Sequence, residues 1–552
     1  MLGVSAFLSN VLALASPLFV MQVLNRYVAH GVDSTLVTLT GGTLIAVVME
    51  FAFRQVRHKM AKALNEKPNE ELKLAGFAVL AHGKIQALEA IPAGKRREIV
   101  NGATDVETAY SATNLTTIFD LPFSFIFIFV LFLMSPVLAS IAVVFIAGTF
   151  AYSVMSTLYV RDATNELKAA SGQTGSVLET AIRESDTIHA FNAAGLVKRN
   201  WFETSSIAGG LRNSIAHRQG LMQAVTQSGT AVMSVAVISI GAIMVVSGDL
   251  NVGAMIGANI LATRAMQPIS RFAQIGATLA KAQQSLKQLE EFVRIPLEPD
   301  KGSAKRVYSG AVELRDVAFM FQGSPAPLFE SLSVTLEPGE ISVVVGASGT
   351  GKTTLARLLV GILEPVRGQI LVDGMDMRQV SPEWWRKQVC YLPQEPTFLN
   401  ATIAENLSLG EVEPDLAKLN AAIDAAGLRA YIDETEHGLD TMILDNGRSM
   451  AVGLRRSLAL ARALMSNGRL VIIDEMLDGF DDQGKKAIGA ALTRFAQEKR
   501  TIVVMSHKAS MIKGITVAID LNIKPKPKIT SFSKTFNPET IQAAIAEKAD
   551  AG

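Results

Sequence analysis

Cysteine is nearly missing from this 552-residue chain, which has Cys390 and no other. That excludes an intrachain disulfide framework and any thiolate metal cluster. Cys390 precedes Tyr391 in an apolar run, so a buried strand position is expected. Histidine is sparse as well: the 7 copies are scattered with no pair at metal-ligand spacing, and no zinc site is expected. Net charge is close to nil. The 52 Lys and Arg against 51 Asp and Glu leave +1, which argues against a nucleic-acid binder working through bulk charge. No cleavable signal peptide is evident, because the apolar N-terminus is too long and lacks a small-residue cleavage site. What the chain holds in quantity is apolar side chain. It is 49% hydrophobic with a mean hydropathy of +0.29, high for a soluble protein with 19% charged residues. Its length suits several domains.

The apolar residues gather into runs of membrane-spanning length. Six are expected: Leu2–Leu24, Leu36–Phe53, Leu115–Met134, Val137–Tyr159, Leu221–Ser247 and Val252–Ile275. Most reach the length that a bilayer core of roughly 30 Å requires. Ser135-Pro136 and Gly248–Asn251 read as tight turns between neighbouring runs. The sixth run is the least apolar, since Arg264 and Arg271 interrupt it; such charges face a cavity or lie near the membrane boundary.

Basic residues set the orientation. The segment from Arg54 to Asn114 carries Arg57, Lys59, Lys62, Lys73, Lys84, Lys95, Arg96 and Arg97. The segment from Arg161 to Gly220 carries Lys168, Arg183, Lys198, Arg199, Arg212 and Arg218, while the other connections are short and poor in Lys and Arg. Positive charge stays on the cytoplasmic side, so both long segments and everything after residue 300 are expected in the cytoplasm. Little Pro or Gly interrupts them, and spans two to five are expected to continue as long helices beyond the membrane. Pro296, Pro299 and the charged stretch to Ser309 read as a linker. Residues 1–295 are then the membrane domain, 296–309 the linker, 310–522 a nucleotide-binding domain and 523–552 a flexible tail.

The second half is organised around Glu340–Thr354. The β-branched run Ile341 to Val345 reads as a buried strand, and the helix starts beyond Thr354. Between them Gly346, Ala347, Ser348, Gly349, Thr350, Gly351, Lys352, Thr353 and Thr354 carry the spacing GxxxxGK[ST]. Glycines let backbone N–H groups and the positive helix N-terminus approach a phosphate chain. Lys352 is placed to reach the terminal phosphates of ATP and Thr353 to hold Mg²⁺. Downstream, Leu470–Ile473 reads as a buried strand ending in Asp474 and Glu475. Asp474 is expected in the Mg²⁺ shell, with Glu475 orienting or deprotonating the attacking water. The expected fold is thus an α-helical six-span domain followed by an α/β phosphate-loop domain.

The whole chain resembles an ATP-binding-cassette (ABC) exporter half-transporter. Gln394, in Tyr391-Leu-Pro-Gln394, matches that family's Q-loop, which touches Mg²⁺. His507 matches its switch histidine at the terminal phosphate, Phe321 the aromatic that stacks on adenine, and Asp478–Asp481 the D-loop. The resemblance implies a dimer that sandwiches two ATP molecules between cassettes. Docking of the cassettes is implied at Asp105–Glu107 and Asp186–Phe191.

One motif departs from the family pattern. Where the family has Leu-Ser-Gly-Gly-Gln, this chain has Met450-Ala451-Val452-Gly453-Leu454. Ala451 lacks the serine hydroxyl, and Gly453 is the residue retained. Two readings follow: a tolerated variant in a homodimer, or a heterodimer with one weakened ATP site.

Within the family, Ser16–Val28 and Ile118-Phe-Asp-Leu-Pro-Phe123 resemble the type I secretion branch. That implies an inner-membrane exporter of proteins or peptides, with a periplasmic adaptor and an outer-membrane channel as partners. The peptidase-like domain that some members carry ahead of the first span is expected to be absent. Lipid or small-molecule export, a slow-hydrolysing regulatory subunit, and a soluble ATPase with a helical scaffold are the rival readings. Six runs with basic flanks weigh against the last.

Overall fold

The structure is a computed structural model that describes residues 1–532 except 30, 32, 300–301, 304–306, 322, 410, 412–413, 476–481 and 508–513. The D-loop residues 478–481, Asp481 among them, therefore lie outside the described residues. The chain divides into two compact units, one of Met1–Gly83 and Ala87–Pro296, the other of Lys84–Gln86 and Leu297–Gly552.

The first unit is helical. Among the described residues, five helical stretches are long and apolar enough to cross a membrane: Leu2–Val28, Asp33–His82, Ala112–Met134, Pro136–Arg183 and Ala194–Val246. Their apolar side chains face outward to a degree that water would not tolerate. Leu44, Ile45, Val48 and Phe51 are each more than 60% exposed, which suits a lipid environment. Ser135 caps the Pro136–Arg183 helix, accepting from the Leu138 N–H, with Pro136 at the first helical position. The turn expected at Ser135-Pro136 is thus a helix cap.

The sixth run behaves differently. Val252–Val293 is one helix of 42 residues, but it falls short of the apolar composition of the other five. Ala258, Leu261, Ala262, Ala265, Met266 and Ile269 form a buried stripe at helical spacing, packed with Phe127, Leu131, Leu138 and Met233. This helix runs through the interior of the bundle, so it needs one apolar stripe and no lipid-facing coat. The expectation for the third span also needs correcting. Its extension is not one helix: Ala93–Ala109 ends at Tyr110, Ala112–Asp120 follows, and Leu121–Phe123 forms a 3-10 turn at Pro122.

The second unit is α/β. Strands β1 (Val312–Phe319), β2 (Phe329–Leu336), β4 (Arg367–Val372) and β5 (Met375–Asp376) form an antiparallel sheet in the order β2-β1-β4-β5. A second sheet has the order β10-β9-β3-β8-β7-β6. Its members are β3 (Ile341–Val345), β6 (Val389–Leu392), β7 (Leu470–Asp474), β8 (Thr501–Ser506), β9 (Val517–Asp520) and β10 (Lys528–Ser531). All are parallel except β10, which pairs antiparallel with β9.

The parallel strands are mostly apolar because both faces are covered. Val343 and Val345 of β3, with Val471 and Ile473 of β7, pack into one core. Val344, Leu470 and Ile472 pack into the other. Truncating such a residue to alanine costs about 2–5 kcal/mol. Cys390 is fully buried on β6, and burial pushes its thiol up to about 12.

Between residues 414 and 465 the chain forms the helices Leu416–Ala425, Arg429–Glu434 and Val452–Met465, with Gly427 and Gly447 at positive φ in the breaks. The tail read from 523 onward contains β10, and the Phe532 N–H donates to the Thr516 carbonyl at 2.7 Å. The folded unit therefore extends past 522.

Candidate functional site

The site lies at the carboxyl ends of the parallel strands, where open α/β sheets place ligands. β3 ends at Val345, and the loop that follows leads into the helix Lys352–Leu359. Gly351 is the N-cap at φ 110°, and a Cβ there would come within 2.7 Å of Leu328 Cδ2. The opening turn leaves the N–H groups of Lys352, Thr353 and Thr354 without intrahelical acceptors, ready for an anion. Ala347, Ser348 and Gly349 are exposed on the rim, while Gly346, Gly351 and Lys352 are buried.

The loop is held by contacts of its own. Lys352 Nζ donates to the carbonyls of Gly346 at 2.6 Å and Ala347 at 2.8 Å. It also pairs with Glu475 Oε1 at 2.7 Å. His507 Nε2 lies 3.0 Å from the same oxygen, and Gln394 Nε2 donates to Glu475 Oε2 at 2.6 Å. Thr353 Oγ1 donates to Gln394 Oε1 at 3.3 Å. The structure thus joins Lys352, Thr353, Gln394, Glu475 and His507, read from four separate stretches, in one connected network.

Asp474 and Glu475 share a strand end but not an environment. Asp474 is fully buried, and neither carboxylate oxygen makes a hydrogen bond of ordinary geometry. Burial raises its carboxyl above the usual aspartate range; the Thr353 hydroxyl opposes this, Glu475 adds to it and Lys352 opposes it. A buried carboxylate short of donors, beside Thr353 and Gln394, is a donor set suited to a hard divalent cation such as Mg²⁺. Glu475 follows with φ at +50°, held by its N–H to the Met505 carbonyl at 3.1 Å. A non-glycine residue in the left-handed region is strained, and here it turns the side chain toward Lys352 and His507.

Phe321 lies just beyond β1, 48% exposed, and meets Phe319 edge-on at 5.1 Å. Ala451 is the N-cap of the helix Val452–Met465, with no side-chain cap, and Gly453 has open space around its Cα. Neither joins the Glu475 network. The stretch Asp105–Glu107 is tied into its own unit. Asp105 is bonded within its own unit to Lys281 at 2.6 Å and Ser285 at 2.9 Å, and Glu107 to Lys73 at 2.7 Å. Val106 is buried, because Ala93–Ala109 packs along the Val252–Val293 helix.

The sequence reading missed Asn522 and Lys524, which had been placed in or beside the tail. Asn522 Oδ1 accepts from the Ala347 N–H at 2.8 Å, and Lys524 Nζ donates to the Thr350 carbonyl at 2.8 Å. Their signal is three-dimensional, and Lys524-Pro-Lys-Pro-Lys528 alone does not reveal it.

Comparison with known proteins agrees with this geometry. Residues 1–269 match the family described as ABC transporter transmembrane region, and residues 329–478 match the family described as ABC transporter. The chain is 28% identical over 518 residues to the leukotoxin export ATP-binding protein LtxB of Aggregatibacter actinomycetemcomitans. It is 27% identical over 520 residues to the alpha-hemolysin translocation ATP-binding protein HlyB of Escherichia coli. Each alignment covers 93% of this chain and 72% of the relative. In fold it is similar to a bacterial Atm1-family ABC exporter with ATP bound, with a TM-score of 0.83 at 19% identity, covering 96% of this chain and 94% of that one. Both halves of the chain, membrane region and ATP-binding region, therefore belong to the ABC transporter family, and the chain is a membrane-embedded exporter subunit that couples ATP hydrolysis to transport.

Proposed function

We propose that this chain is one half of a dimeric exporter that moves a protein or peptide out of the cytoplasm, in a system of the type I secretion kind. The observation that carries this is the extent of the likeness to toxin-export proteins, which runs over 93% of the chain and so includes the membrane half. Such a system places the chain in the inner membrane with its nucleotide unit in the cytoplasm, as the basic residues at 54–114 and 161–220 favour. A periplasmic adaptor and an outer-membrane channel are its proposed partners.

The site supports a sequence of exchanges. Adenine stacks on Phe321, and the phosphates enter the loop from Gly346 to Thr354. Lys352 gives up Glu475 and the two loop carbonyls for the terminal phosphates, which carry more charge. Glu475, released, orients the attacking water, and His507 steadies the terminal phosphate. Thr353, Gln394 and Asp474 would hold Mg²⁺, which when bound supplies charge neutralisation to the phosphate oxygens. The second ATP-binding surface is the helix N-terminus at Ala451 and Gly453, presented to the partner cassette; Asp481 is proposed as a further nucleotide-binding residue. The exposed helix Ser185–Ala190 with Phe191, 77% exposed, is proposed to dock a cassette and carry its motion to the spans.

The missing hydroxyl at Ala451 and the bulk of Val452 favour a second reading, a heterodimer in which this chain offers the weaker signature. Uptake by proteoliposomes with the cassettes outside tests the substrate class. ATP-dependent uptake of a labelled secreted polypeptide is expected. Uptake of lipid or small molecules with none of polypeptide would contradict the proposal.

A further inference from the structure

We propose that Lys524 is a positioning residue for nucleotide binding, one that fixes the separation between the base platform at Phe321 and the phosphate loop. This deepens the site described above and rests on that reading of Phe321 and Lys352.

The connection from β9 to β10, residues 521–527, runs back over the loop instead of turning tightly. Asn522 and Lys524 take hold of opposite limbs. Asn522 Oδ1 accepts from the Ala347 N–H at 2.8 Å, near the start of the loop. Asn522 is itself held, with its N–H and its Nδ2 both donating to Asp520 Oδ1 at 2.9 Å. Lys524 Nζ donates to the Thr350 carbonyl at 2.8 Å, just before the helix begins, and also to the Leu328 carbonyl.

Leu328 links the loop to the base platform. Its N–H donates to the Phe319 carbonyl at 2.8 Å, and the Phe319 ring meets Phe321 at 5.1 Å and 87°. Its side chain covers Gly351, so closely that a Cβ on that glycine would lie 2.7 Å away. The Pro525 carbonyl accepts from the Glu330 N–H at 2.8 Å, anchoring the connection to the start of β2. One ammonium group therefore bonds the segment behind Phe321 and the segment that cradles phosphate. Ammonium-to-carbonyl bonds are charge-assisted and stronger than neutral ones. Holding both segments before ATP arrives removes an ordering cost from binding.

A ligand that spans both segments depends on this spacing, while a ligand confined to the loop does not. The test titrates the full-length chain in lipid nanodiscs with a non-hydrolysable ATP analogue and with inorganic tripolyphosphate. Lys524→Met keeps the apolar stem and removes the donors. Its Kd for the analogue is expected to rise roughly threefold to tenfold, as for one or two lost hydrogen bonds. The Kd for tripolyphosphate should stay within about twofold, and Lys524→Arg should restore the analogue. An unchanged analogue Kd, or an equal rise for both ligands, overturns the proposal. Should the Met variant fail to fold, Lys524→Gln is read by the same ratio. Lys352→Ala separates this inference from the reading beneath it. Loss of both ligands in that variant upholds the phosphate-loop reading even if Lys524 proves silent, and retention of both removes it.

Discussion

Lys352 Nζ and Glu475 Oε1 lie 2.7 Å apart, both well shielded from solvent, so the lysine proposed to bind phosphate and the residue proposed to orient water form an ion pair. ATP entry must break that pair, and the terminal phosphates must outcompete a carboxylate already in place. Glu475→Gln removes the competing charge. The variant is expected to bind ATP severalfold more tightly than the parent, measured by titration with a fluorescent nucleotide. Weaker binding would mean that the pair orders the loop instead of competing for it.

Asp474 carries the opposite lesson, a carboxylate kept where burial opposes it. Its raised pKa means that the folded state holds the proton more tightly than the unfolded chain does. The sign follows from that: the contribution to stability is fully present below the ordinary aspartate range and is lost as pH rises through the raised value. Asp474→Asn removes this loss. The nucleotide-free variant should melt roughly a few degrees higher than the parent at neutral pH and show a flatter pH dependence, while losing Mg²⁺-dependent turnover. Calorimetry across the acid to neutral range checks it.

The network was legible in the sequence because its residues sit at strand ends, where an apolar run fixes the direction and register of the next side chain. Leu470–Asp474 is such a run, and so is Ile341–Val345 before the loop. The sixth membrane helix was harder, since a stripe buried against other helices needs less apolar surface than a lipid-facing span, and Arg264 and Arg271 lower its hydropathy. Lys524 was invisible for another reason. Its partners are main-chain carbonyls at Leu328 and Thr350, and carbonyls leave no trace in residue type.

The helix starting at Ala451 offers free N–H groups but no hydroxyl cap. Restoring the family pattern by Ala451→Ser, Val452→Gly and Leu454→Gln together should raise ATP turnover of the purified chain about tenfold, the scale of one recovered transition-state hydrogen bond. No change would place the limiting step elsewhere. A gain seen on adding a partner with an intact signature, without these substitutions, would favour the heterodimer.

Asp120, in the stretch Ile118–Phe123, pairs with Arg57 and accepts from Asn10 Nδ2 at 2.9 Å, tying three membrane helices together. Arg57 is largely buried, so Asp120→Ala strands a charge and should cost about 3–5 kcal/mol of folded-state stability. The double variant Asp120→Ala with Arg57→Leu should recover much of it. Thermal unfolding in detergent, followed by intrinsic fluorescence, reads both.

The central claim, a self-paired site that hydrolyses ATP through Glu475, is tested most directly by turnover of the purified chain in lipid nanodiscs beside its Glu475→Gln variant. Turnover of the order of 1 s⁻¹ in the parent, falling at least a hundredfold in the variant, is the predicted result. Turnover that survives the substitution would contradict it.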